Sequence, residues 1–201
     1  MEFNNIFDHP SLPKGFHRIS LEGLLIQSGL ITAGDPFSLP PVSLNIELNP
    51  DKYRVDLIYK DCHEWGYRVV LAMLIINDDK VIEWKPLENE YGLDSIFVDS
   101  GLACFSDSET ARLFTRVLEE WRESDPPKNY YDLVLKNEIQ KKILPGDRIN
   151  SFCIHYPFGD DKNVAIFECG IGDGSYRIYY GVGKNNDPAA IIIDFDILDW
   201  V

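Results

Sequence analysis

The sequence predicts an α+β fold dominated by antiparallel β-sheet, and three observations lead there. Apolar residues alternate at period two through much of the first half. The period changes to three and four over a central stretch. β-Branched and aromatic runs then return and continue almost to the end. The 201 residues are read as one domain spanning 1–201, β-rich over 20–105, helical over 106–144 and β-rich again over 150–199. A chain of this length buries roughly 70% of the surface its unfolded form exposes, enough for a core without staples.

The elements follow in order. Leu21 to Thr32 mixes apolar and small residues, and Gly23 and Gly29 divide it into a short strand, a bend and another strand. Gly34-Asp35-Pro36 makes a turn, and Pro40-Pro41 extends the chain into the next element. Val42, Leu44, Ile46 and Leu48 alternate with polar residues, which is a half-buried strand. After Asn49-Pro50-Asp51 the pattern repeats with Tyr53, Val55, Leu57 and Tyr59. Tyr67 to Ile76 is more continuously apolar and hence more deeply buried, and Asn77 to Lys80 loops into Val81 to Lys85. Together these segments are expected to form an antiparallel meander.

One long and one short helix are expected in the middle. Ser106 with Glu109 has the spacing of a capping box. Ala111, Phe114, Val117, Leu118 and Trp121 then recur at the steps of one buried helical face, which should end before Asp125-Pro126-Pro127. The shorter helix runs from Tyr130 to Lys142, where Lys141 and Lys142 suit the negative end of the helix dipole. Strands resume at Ser151 to Tyr156, Val164 to Cys169, Ser175 to Val182 and Ala189 to Leu198. The unbroken apolar run Ala189 to Ile193 points to a central strand covered on both faces.

Charge is the strongest global signal. The chain carries 33 acidic against 19 basic residues, a net −14, divided as 16 against 8 in residues 1–100 and 17 against 11 in 101–201. Phosphate-bearing surfaces demand clustered Lys and Arg, so neither nucleic acid nor an anionic membrane is expected as a partner. No apolar stretch approaches the roughly 20 residues of a membrane helix. The first residues lack the basic start and apolar run of a secretory signal, so the expected location is cytoplasmic. Cys62, Cys104, Cys153 and Cys169 have no short paired spacing and are read as small buried thiols. The histidines (His9, His17, His63 and His155) show no metal spacing, and no cofactor is expected. Cys62 and His63 adjoin, but neighbouring strand residues face opposite ways, which does not suit a catalytic pair.

Two sets of residues are candidates for chemistry. Cys169-Gly170-Ile171-Gly172-Asp173-Gly174-Ser175 alternates glycine like a phosphate loop, yet strand residues rather than a helix follow it. Asp-Gly between two strands predicts a hairpin over Gly170–Gly174 instead. The second set is Asp35, Asp99, Asp107, Asp173 and Asp194, each beside glycine or at an element's end. Converged, they would offer oxygen ligands to a cation or an acid and base. Taken singly they suit turns and a first helical turn, except Asp194. It follows three isoleucines in an interior strand and would need a partner if buried.

Several of these pieces occur together in order. Gly34-Asp35-Pro36 comes first, then Val98-Asp99-Ser100-Gly101-Leu102-Ala103-Cys104-Phe105-Ser106-Asp107. Gly170-x-Gly172-Asp173-Gly174-Ser175-Tyr176 with Tyr180-Gly181 and finally Ile193-Asp194-Phe195 complete the set. On these residues the chain, from about 20 to 198, resembles a bacterial family, the domain of unknown function numbered four-two-four-one. It departs from that family at Gly181-Val182-Gly183-Lys184, where an acidic residue more usually follows the Tyr-Gly. The resemblance implies no established activity.

Small acidic proteins of this kind are similar to the immunity proteins that neutralise bacterial toxins. The expectation is therefore a non-enzymatic binding protein whose partner is a basic protein, a cognate toxin, because opposite charge speeds association. Trp65, Tyr67, Trp84, Tyr130, Tyr131 and Trp200 are candidate contact aromatics. The alternative is an enzyme, or a small-ligand or metal-binding protein, using the five aspartates and the glycine turn as one pocket.

Overall fold

A computed structural model of the chain describes Phe3, Ile6 and residues 12–38, 40–124, 127–136, 151–154, 159 and 161–197. Thirteen strands and one long helix are described. They are β1 (Phe16–Ser20), β2 (Leu24–Ile26), β3 (Leu30–Gly34), β4 (Val42–Glu47), β5 (Asp51–Asp61), β6 (Tyr67–Ile75) and β7 (Glu83–Pro86). There follow β8 (Ser95–Val98), β9 (Leu102–Asp107), the helix α1 (Ser108–Glu123), β10 (Ser151–Ile154), β11 (Val164–Glu168), β12 (Gly174–Val182) and β13 (Pro188–Asp194). Every described strand pairing is antiparallel, so the fold is α+β with β dominant.

The strands form two sheets. Eight strands run in the order β1-β5-β6-β13-β12-β7, with β2 also on β5 and β8 also on β12. Five run β10-β11-β9-β3-β4. The sheets face each other across a shared core, with Ala33, Phe105 and Phe167 from the smaller meeting Leu57, Leu74 and Ile191 from the larger. Period-two alternation sends every second residue to the outer faces. Cys104, Val164 and Ile166 on the outside of the five-stranded sheet pack under Phe114 and Leu118 of α1. Val70, Met73 and Ile192 on the outside of the eight-stranded sheet pack with Ile6 and Ile197. The isoleucine run of β13 is central as expected, between β6 and β12 and apolar on both sides.

Three expectations are corrected. The meander does not form. Consecutive strands pair only in part, β3 with β4 and β5 with β6, because β3 and β4 belong to the smaller sheet and β7 pairs with β12. Alternation fixes which side of a strand is buried but not which neighbour it pairs with. Nor is Gly170–Gly174 a hairpin, because β11 and β12 lie in different sheets and the glycines turn the corner between them. Gly170, at φ +40°, sits where a Cβ would come 2.9 Å from Cβ of Phe195, and Gly172 has φ +121°. Both positions therefore require glycine.

The helix cap also moves by one residue. Ser106 still belongs to β9 and Asp107 is the N-cap, accepting from the Glu109 and Thr110 amides. The predicted face holds, with Ala111, Phe114 and Leu118 buried and Val117 and Trp121 packed beside them. Of the second helix, Tyr131–Leu135 forms a single π-turn, and its expected end with Lys141 and Lys142 lies outside the described residues. No helix among the described residues is long and apolar enough to cross a membrane.

Candidate functional site

Asp35 follows β3 and is fully buried. Its carboxylate takes four backbone amides: Oδ1 accepts from Phe37 (2.7 Å) and Ser38 (2.8 Å), and Oδ2 from Asp99 (2.8 Å) and Ser100 (2.7 Å). The first pair closes its own turn, as a short acidic side chain before proline can do. The second pair reaches 64 and 65 residues along the chain and ties down the loop that enters β9. Asp99 contributes its amide to this arrangement while its own side chain is exposed.

Asp107 does the corresponding work at the other end of β9. One oxygen caps α1, and the other accepts from the Gln27 amide (3.0 Å), the Ser28 amide (2.8 Å) and the Ser28 hydroxyl (2.7 Å). Burial pushes this carboxyl up, but the donors of Ser28, Gln27 and Thr110 outweigh it and hold the group below the usual aspartate range. Asp173 is exposed in the corner turn. Asp194 ends β13 half-buried, opposite Arg177, and accepts from the Asp196 amide at 3.0 Å. The structure thus gathers Asp35 and the Asp99 backbone, with the corner turn docked beside them through the Cys169 amide on Gly101 O. Asp107 stands a strand's length away.

The nucleophiles near this corner are quiet. Burial foremost, with the charges of Asp35 and Asp173 adding to it, pushes the Cys169 thiol up to about 12. Burial and Asp35 raise Cys104 as well. Thiols held protonated are poor nucleophiles. Tyr176, also raised by burial first and then by Cys169, donates its hydroxyl to Gly172 O at 2.6 Å and props the turn. Cys62 is buried while His63 is exposed, so those two do not face each other. The Cys153 side chain, His9, His155 and Trp200 lie outside the described residues. No group of three or more His, Cys, Asp or Glu among the described residues is arranged to hold a metal ion.

Three buried polar residues escaped the sequence reading. Asn89 folds its own loop, accepting from the Tyr91 and Leu93 amides and donating to Ser95 O. Asn163 accepts from the Leu25 amide and donates to Gly23 O, fastening β2. Asp56 on β5 accepts from the Ser20 hydroxyl at 2.7 Å and lies 3.3 Å from Arg54 and 3.9 Å from Arg18. Asn89 had a signal, since a turn asparagine precedes Gly92 (φ +73°). Asp56 had none, because a polar residue in an alternating strand reads as solvent-facing, and Asn163, in the loop just before β11, bonds to Gly23 and Leu25, 140 and 138 residues away.

Two surfaces adjoin this scaffold. One is a cleft of about 740 Å³ between the end of α1, the Asp35-held loop and the 128–131 segment, lined among others by Phe37, Trp121, Tyr131, Arg122 and Lys128. None of the five aspartates lines it. The other is an open face on β8 and the loop before it. There Tyr91, Leu93 and Phe97 are exposed, Tyr91 by 72%, with Ile171 exposed in the adjacent corner turn. Exposed Glu88, Glu90, Asp94, Asp99 and Asp173 accompany them. Of the candidate aromatics, Trp65 is exposed, Tyr67, Trp84 and Tyr131 are half-buried, and Tyr130 is buried.

Residues 24–193 match the model of a family described as a protein of unknown function, DUF4241, and the chain belongs to that family. No curated protein and no solved structure matches it.

Proposed function

We propose that this member of the DUF4241 family acts by binding rather than by catalysis, and that its partner is a basic protein. This is the role of an immunity or antitoxin-type protein that neutralises a bacterial toxin by direct contact. The observation that carries the reading is the β8 face, where exposed Tyr91, Leu93 and Phe97 sit among five exposed carboxylates. Arg177, paired in register with Ser95, is the one basic side chain in residues 88–99 and 171–177. Exposed apolar anchors accompanied by carboxylates suit a partner of opposite charge, with the anchors giving affinity and the carboxylates association rate. The net charge of −14 extends the same attraction over the whole molecule.

The chemistry of the buried aspartates points the same way. Both oxygens of Asp35 and of Asp107 already accept two or more hydrogen bonds, which favours a structural use over an acid, a base or a cation ligand. Free buried thiols suit a reducing cytoplasm.

The test is binding to the purified basic proteins encoded beside this chain's gene, with and without Asp94→Lys, Asp99→Lys and Asp173→Lys together. One neighbour should bind, and the triple reversal should slow its association roughly tenfold or more at low salt. Phe97→Ala should speed its dissociation. No binding by any neighbour, or binding indifferent to both salt and charge reversal, would sink the reading.

A further inference from the structure

We propose that the cleft at the end of α1 binds a small planar aromatic anion, a ring carrying a carboxylate or phosphate, independently of any protein partner. Its volume of about 740 Å³ lies within the range of small-molecule sites, roughly 300–1,000 Å³. Its walls are fixed before any ligand arrives. The Asp35 carboxylate clamps the amides of Phe37, Ser38 and Ser100, three residues that line it. Arg122 donates to Phe37 O and Trp121 Nε1 to Lys128 O, so α1 is tied to both other walls. This gives the Gly34-Asp35-Pro36 and Asp99-Ser100-Gly101 turns a joint purpose that the binding reading leaves unused.

The lining sets the ligand class. Phe37 meets Tyr131 edge-on at 5.7 Å, and Trp121 meets Tyr130 edge-on at 5.4 Å, an aromatic lining that a flat aromatic group can join edge-to-face or offset-stacked. Arg122 and Lys128 place two cations on a cleft of a chain whose net charge is −14. Glu168 is the one carboxylate in the lining. The Tyr131 hydroxyl, protonated like any tyrosine near neutral pH and raised further by burial first, then by Asp132 and Glu168, can donate. A site rich in donors and cations selects an acceptor-rich, negatively charged group.

The Trp121 indole N–H gives a reporter inside the cleft, its nuclear magnetic resonance signal assigned by loss in Trp121→Phe. Indole-3-acetate and phenyl phosphate, titrated separately, distinguish the carboxylate from the phosphate form. At least one should move the signal with a Kd below ~1 mM. Tryptamine, which has the same ring and the opposite charge, should bind at least ~10-fold more weakly. Lys128→Ala, and Arg122→Gln, which keeps a donor for Phe37 O, should each weaken the anion about 3- to 10-fold with the rest of the spectrum unchanged. The proposal is overturned if neither anion moves the signal by roughly 10 mM, if tryptamine binds equally well, or if both charge variants keep full affinity. None of these readouts depends on Phe97 or on a protein partner, so this idea and the binding reading fail separately.

Discussion

Two regions of the molecule bury carboxylates by different means. At the ends of β9, Asp35 and Asp107 are held by N–H and hydroxyl donors. On the outer face of the eight-stranded sheet, Asp56 is just as buried but takes no backbone amide among the described residues: it accepts the Ser20 hydroxyl and otherwise leans on Arg18 and Arg54, whose side chains are 32% and 51% exposed. Amide donors belong to the backbone, so a carboxylate that binds them fixes chain path and feels little screening. Exposed arginines are mobile and solvated, so their pairing adds little and weakens with salt. The first arrangement organises loops; the second neutralises a charge.

That contrast can be broken by substitution. Asp35→Ala strands four amides, and Asp35→Asn is no better, because both oxygens are used and the amide group would face N–H donors. Each should cost about 3–5 kcal/mol in urea unfolding, and a loss below about 1 kcal/mol would refute the clamp. Asp107→Ala should cost about 2–4 kcal/mol, whereas Asp107→Asn should cost about half that, since its oxygen still caps α1 and the Ser28 hydroxyl, unlike any donor on Asp35, can turn to accept from the amide group. Equal losses at Asp107 would erase the distinction between the two positions.

Acid separates them further. The folded-state Asp107 carboxyl titrates below its unfolded value. Its contribution is therefore complete above the unfolded value, near pH 4, and drains as pH falls through the lower folded value. The stability gap between the natural chain and Asp107→Asn should accordingly be constant from about pH 7 to 5 and close on acidification below about pH 4. A gap that widened in acid would contradict it. The smallest effect is reserved for Arg54→Ala, at or below about 1 kcal/mol and shrinking in 1 M salt. A larger, salt-independent loss would put Asp56 in the same class as Asp35.

Much of this fold was legible in the sequence, because alternation and the 3.6-residue period report directly on burial. The α1 face, the bend at Gly29 and the two-sided burial of Ala189 to Ile193 all came from such local patterns. Pairing did not. β4 and β5 carry the same alternation on either side of Asn49-Pro50-Asp51 yet belong to different sheets. Nothing within a strand names its neighbour. The same applies to the aspartates. Asp35 was legible as a turn residue from Gly-Asp-Pro, but its second pair of amides lies across the fold and has no local trace. The cleft is still less legible, since Phe37, Arg122 and Lys128 come together only after α1 has docked.

The position of β13 carries a consequence for how the molecule is made. It is the last described strand to leave the ribosome, yet it inserts between β6 and β12 rather than adding at a rim. Until residues 188–194 emerge, β6 and β12 each present an open row of amides and carbonyls beside apolar side chains, the arrangement most prone to intermolecular pairing. Closing the sheet from its centre also demands contacts more than a hundred residues apart, between β13 and β6, which slows folding. A chain that lacks residues 188–194 is therefore the form most open to intermolecular pairing.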